Sequence, residues 1–110
     1  MALRYEKTNI GASPFGRRLR EIAAAHDSVV ALYGMGSFFR GEPHNDVDFV
    51  VVLACDPAAL LGEARSIRRD LCTIGDSVGE RVDVTVFTRS EFELKPLRDM
   101  DALVSIFQRS

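Results

Sequence analysis

Between Tyr33 and Phe49 the chain reads Tyr-Gly-Met-Gly-Ser-Phe-Phe-Arg-Gly-Glu-Pro-His-Asn-Asp-Val-Asp-Phe, so that Gly36, Ser37, Arg40, Asp46 and Asp48 fall within one short stretch. Glycine lets a backbone approach an anion closely, the N–H groups opening a helical turn point at that anion, and a serine hydroxyl adds a donor. The Gly36-Ser37 pair therefore reads as a phosphate cradle. Asp46 and Asp48 are two residues apart, which at strand spacing sends both carboxylates out of the same face of a sheet. Two such charges about 4 Å apart repel by roughly 4 kcal/mol at an effective dielectric near 20, so the pair calls for a cation or a shared proton. Magnesium is the natural cation, because it takes carboxylates, waters and phosphate oxygens together. Asp83, near the start of a later alternating stretch, reaches the same end of the sheet if the two strands are neighbours. Three carboxylates at one sheet edge suit a two-metal site that activates a hydroxyl and stabilises a leaving pyrophosphate.

The elements that must position these groups follow from periodicity. Ser13-Pro14 is a cap and first-turn signal, and Phe15, Leu19, Ile22 and Ala23 continue at helical spacing to about His26. Ser28 to Tyr33 is β-prone. Val47 to Ala54 is almost wholly apolar and valine-rich, as a central strand covered on both faces would be. Asp56-Pro57 starts a long helix whose stripe runs through Leu60, Ala64, Ile67, Leu71, Ile74 and Val78, with Arg65, Arg68 and Arg69 on its solvated side. Arg81 to Thr88 alternates with period two as a third strand, Ser90 caps a brief helical turn, and Leu103, Val104 and Phe107 suggest a short final helix. The expectation is an α/β (α+β) fold with a small mixed sheet of about three to four strands and helices packed on it. Residues 1–12 read as a loosely held arm and 13–110 as a single domain.

Bulk properties agree with that size and narrow the function. The 110 residues support one modest core, and 46% apolar with 27% charged residues describes an ordinary folded domain. A formal charge of −2 gives no general basis for neutralising nucleic-acid phosphates, so nucleic acid is not the favoured partner. There is no membrane-length apolar run and no secretory signal, which sets the expectation of a cytoplasmic protein without a membrane partner. Cys55 and Cys72 lack zinc or disulfide spacing and read as reduced, partly buried thiols.

Taken in order, a Gly-Ser turn followed by Arg-Gly, an Asp-x-Asp pair opening a valine-rich strand, and a third carboxylate one strand later resemble the DNA polymerase beta-type nucleotidyltransferase superfamily, in particular its minimal stand-alone members. The resemblance covers roughly residues 28 to 92. It implies a nucleotidyltransferase-like fold, with Gly36 and Ser37 binding the triphosphate and Asp46 and Asp48 holding the metals. Asp83 then serves as metal ligand or as base toward an acceptor hydroxyl. The implied activity moves a nucleoside monophosphate from a nucleoside triphosphate to a hydroxyl of a protein or small molecule, with Mg2+ as cofactor. Some relatives are toxin–antitoxin components, so the alternative is a weakly catalytic or non-catalytic antitoxin that binds a helical partner.

Arg40 reads equally as a phosphate contact or as a structural partner of Asp46 or Asp48. His44 reads as solvent-exposed in its loop, and Phe38 and Phe39 as pinning the turn to the core. A dinucleotide fingerprint is poorly matched because Phe39 stands where its third glycine belongs, and the resemblance to phospho-receiver domains, which carry a lysine after a late strand, is poor because Lys95 follows a helical segment instead. A three-strand sheet offers only a shallow cleft, so a homo-oligomer or helical partner is expected to supply a missing wall. It would dock on apolar surface left by Phe15, Leu19 and Ile22 or by Leu103, Val104, Ile106 and Phe107.

Overall fold

The computed structural model describes residues 13–94 and 103–109. Helix α1 (Pro14–Ala25) begins where the Ser13 hydroxyl accepts the Gly16 N–H at 2.9 Å, and it buries Phe15, Leu19 and Ala23. Strand β1 (Val29–Met35) leads through Gly36 into a 3₁₀ turn, Phe38–Arg40, and then to β2 (Asp46–Leu53). The expected long helix starts as a 3₁₀ turn at Pro57–Ala59 and becomes α2 at Leu60–Ser77. Its end is a Schellman arrangement: Gly79 at φ 75°, and the Glu80 N–H returning to the Gly75 carbonyl at 2.9 Å. Strand β3 (Arg81–Thr88), the short α3 (Arg89–Glu93) and β4 (Val104–Gln108) complete the described chain. The cap of α3 is Thr88 rather than Ser90, through a capping box in which Thr88 and Glu91 exchange side-chain and backbone bonds.

The four strands form a mixed sheet in the order β3-β2-β1-β4, with β1 antiparallel to both β2 and β4. The pair β2 and β3 is parallel, joined by α2 as crossover. Alternation along β2 sends Val47, Phe49, Val51 and Leu53 toward the helices, where they share one core with Leu19, Ala64, Ile67, Leu71 and Ile74. The other set, Asp46, Asp48, Val50 and Val52, leaves by the opposite face. Val50 and Val52 are buried there too, so the central-strand reading holds from Val50 onward. Phe92 of α3 stacks on Tyr33 of that face at 5.3 Å and tilts against Phe87. No helix of the described residues is long and apolar enough to cross a membrane.

The final helix expected from Leu103, Val104 and Phe107 is a strand. A register shift between Leu32 and Tyr33 pairs Leu32 with Phe107 and Tyr33 with Ser105. Ile106 enters the core, while Val104 and Phe107 pack against it. The bulge breaks strict alternation and so imitates a helical repeat over a few residues. Phe15, Leu19 and Ile106 are buried in the core and are not available as a docking patch, while Ile22, Leu103, Val104 and Phe107 keep part of their surface accessible. The cysteines also differ from expectation, since Cys55 and Cys72 are both exposed.

Arg109 fastens β4 to the rest. Its Nε donates to the Val29 carbonyl at 2.9 Å, and Nη2 reaches the carbonyls of Ala23, Ala24 and His26 at 3.1–3.3 Å. The last carbonyls of α1 thus meet a cation, favourable both as hydrogen bonds and for the helix dipole. Arg109→Ala is expected to cost about 1–2 kcal/mol, as for a partly exposed charge-assisted network. The check is a lowered urea midpoint at unchanged m-value; a wild-type midpoint contradicts it.

Candidate active site

The sequence-predicted residues lie where β1, β2 and β3 run side by side. Cross-strand register aligns Met35, Asp48 and Asp83 in one row, and Asp46 pairs with Arg81 one pleat earlier. Since β2 and β3 are neighbours, the condition for Asp83 to approach the Asp46–Asp48 pair is met. Neighbouring strands are about 4.8 Å apart and alternate residues roughly 6.6 Å, so the three carboxylates share one small area of the face. Asp83 is exposed and Asp46 and Asp48 are half-buried.

Gly36 closes this row from the β1 side. Its φ of 84° lies in the left-handed region, and a Cβ there would stand 2.8 Å from Asp48 Oδ2. Only glycine lets the turn pass so close to the carboxylate. Ser37 follows in helical conformation, its carbonyl accepting from the N–H groups of Arg40 and Glu42 at 3.1 and 3.0 Å. Beneath the turn, Phe38 and Phe39 are buried edge-to-face at 4.9 Å, and Phe39 also meets Phe49 at 5.8 Å, which pins the turn to the core. Arg40 is exposed; its Nε donates to Glu42 at 2.7 Å and Nη2 to Ser37 Oγ at 3.4 Å. The structural partner of Arg40 is therefore Glu42, not Asp46 or Asp48, and its guanidinium lies beside the Ser37 hydroxyl.

Two electrostatic features mark the carboxylates. Burial, then the charge of Asp83, then that of Asp46 raises the Asp48 carboxyl above its ordinary value of 3.8. Asp46 Oδ1 is buried without a hydrogen bond, and its nearest cation, Arg81 Nε, is 3.9 Å away, beyond bonding distance. Among the described residues no three or more His, Cys, Asp or Glu side chains are grouped so as to hold a metal ion by themselves. The carboxylates form an open row whose fields overlap.

A pH dependence follows with a definite sign. A carboxyl raised by folding contributes stability below its unfolded value near 3.8, and that contribution is lost as pH rises through the higher folded value. The difference in unfolding free energy, wild type minus Asp48→Asn, is expected to fall with increasing pH across this window and to level off above it. A flat difference contradicts the assigned repulsion.

His44, read as solvent-exposed, is instead half-buried: its Nε2 lies 2.8 Å from Glu80 Oε2, with side-chain exposures of 16% and 11%. The partner is 36 residues away, so nothing local in the sequence announced it. Two depressions, of about 410 Å3 beside Cys72, Glu80 and Arg81 and about 340 Å3 beside Cys55 and Ser90, are not lined by Asp46, Asp48 or Asp83.

A mixed four-stranded sheet with α1 and α2 packed on one face and a carboxylate row on the other is an α+β fold. Among solved structures, one of the toxin-antitoxin MntA-HpeT, a mutant with two aspartates two positions apart changed to glutamate, is similar to this chain. The TM-score is 0.57 and the identity 14%, over 86% of this chain and 74% of that one. At that identity the likeness concerns the fold. No family model and no curated protein matches the sequence.

Proposed function

We propose that the chain is a metal-dependent nucleotidyltransferase that moves a nucleoside monophosphate from a triphosphate to an acceptor hydroxyl. The observation that carries this reading is the Asp48 carboxylate, crowded by Asp46 and Asp83 and pressed against the Gly36 turn. An orphaned Asp46 oxygen beside it fits a cation, which relieves both the repulsion and the unmet acceptor. A site completed by phosphate oxygens and waters needs no closed protein cage. The MntA-HpeT mutant adds support, because its two changed aspartates have the spacing of Asp46 and Asp48.

In this reading Asp46 and Asp48 would hold magnesium, with Asp83 beside them as a further ligand or as the base. When bound, the metal supplies Lewis-acid stabilisation of charge on the phosphoryl oxygens. The Gly36-Ser37 turn orients the triphosphate, and Arg40, beside the Ser37 hydroxyl, offsets its charge. Asp83, the most exposed carboxylate, accepts the proton of the attacking hydroxyl. The hydroxyl oxygen bonds to the α-phosphorus as the α–β bridge breaks, and pyrophosphate leaves with the bond pair. Incubation with labelled triphosphates, magnesium and host lysate is expected to label a discrete acceptor with wild type and not with Asp48→Asn. Labelling that is equal in both overturns the assignment.

A second reading, an antitoxin-like protein that binds a helical partner or forms a homo-oligomer, is favoured by the toxin-antitoxin neighbour. Leu61 and Leu94, at 62% and 83%, are the fully exposed large apolar side chains among the described residues. Partner binding that persists in Asp48→Asn without any labelling supports this reading instead.

A further inference from the structure

His44 touches all three segments that carry the candidate site. Its ring meets the Phe38 ring edge-on at 4.9 Å, and Phe38 adjoins Ser37 in the turn. It precedes Asp46 by two residues, and its Nε2 is 2.8 Å from the carboxylate of Glu80, which precedes Asp83 by three. Both side chains are withdrawn from solvent, at 16% and 11% exposure. Neither end of the contact is loose. Phe38 is locked among Phe15 and Phe39, and the Glu80 backbone N–H is bonded to Gly75 at the end of α2.

We propose that His44 and Glu80 form a positioning clip that sets the carboxylates of β2 against the carboxylate of β3 and against the Gly36-Ser37 turn. The inference rests on the nucleotidyltransferase reading for what the positioning serves. From Val47 onward β2 is held by core packing, and Val47 and Phe49 are buried among the helices. Ahead of Val47 that packing is absent: Gly41, Glu42, Pro43 and Asn45 are all exposed. His44 is the half-buried residue of that loop, and the ladder between the strands starts at the Asp46–Arg81 pair. The clip therefore lies just outside the first rung, at the end of the sheet where Asp46 would otherwise be fixed least. A side chain serving the fold as a whole would not need to bridge these three points.

The partner groups behind metal ligands commonly change affinity about 10- to 100-fold when removed. His44→Ala and Glu80→Ala are each expected to weaken binding of manganese with a non-hydrolysable nucleoside triphosphate by about that factor, measured by calorimetry on the full chain. The double variant should be no worse than either single one, since both remove one contact. His44→Gln and Glu80→Gln keep a hydrogen bond across the gap and should recover most of the affinity. Arg109→Ala serves as a destabilised control outside the site and should bind as wild type.

Wild-type affinity in the folded alanine variants overturns the clip, and so does an equal loss in Arg109→Ala. If wild type itself binds no nucleotide, the transferase reading fails, and the clip is judged by amide exchange without ligand. His44→Ala should then speed exchange at Asp46 and Asp83 while leaving Val50 to Leu53 protected. A uniform increase, or none, overturns the proposal.

Discussion

Asp48→Asn is expected to lower nucleotidyl transfer by roughly a thousandfold or more, a loss of about 4 kcal/mol in transition-state stabilisation, the scale a catalytic metal ion supplies. The same substitution should make the ligand-free protein more stable, not less, because burial and the charges of Asp83 and Asp46 already oppose ionisation at Asp48. Opposite signs on activity and stability distinguish a ligand-holding carboxylate from a structural one. Asp48→Glu should be impaired as well, because an added methylene moves the carboxylate out of the row it forms with Asp83. Steady-state transfer and urea unfolding on the same preparations check both halves. An Asp48→Asn protein that is destabilised yet active sinks the assignment.

Phe39→Ala is expected to cost about 3–5 kcal/mol, a large share of the 5–15 kcal/mol that holds a domain of this kind. Phe39 is 1% exposed and packs edge-to-face with Phe38 and Phe49, so its removal leaves a cavity directly under the phosphate turn. Across from it, Gly34 has no side chain because a Cβ there would stand 2.3–2.5 Å from the Phe39 ring atoms. Gly34→Ala alone should therefore be destabilising by about 1–3 kcal/mol through overpacking. Combined with Phe39→Ala it should cost far less than the sum, since the added methyl enters the vacated space. Urea denaturation of the four proteins completes the cycle; strict additivity contradicts the packing described.

The parts of the fold legible in the sequence are those whose pattern is local. Valine alternation at Val82, Val84 and Val86, the Leu60-to-Val78 stripe and the Ser13-Pro14 cap each report a nearby partner or a single buried face, and the corresponding elements are present. The aspartates were readable for the same reason, because a two-residue spacing on a strand fixes a shared face wherever the strand goes. What escaped was set by distant contacts. Arg109 reaches back 83 residues to His26, and His44 reaches forward 36 to Glu80. The bulge opposite Leu32 decided that the last segment is a strand, and a bulge belongs to the pairing rather than to either strand alone. Thr88 was legible as a cap through Glu91 three residues on, but its place as the last residue of a clear strand masked that role.

The central claim is that the open carboxylate row binds a metal–nucleotide complex, and the most direct test compares unfolding of wild type and Asp48→Asn with and without magnesium and a nucleoside triphosphate. A ligand bound only by the folded state at a hundred times its Kd adds about 2.7 kcal/mol. Wild type should gain this amount only when both components are present, and Asp48→Asn should gain none. Equal metal-dependent gains in the two proteins, or no gain in wild type at saturating concentrations, would contradict the account.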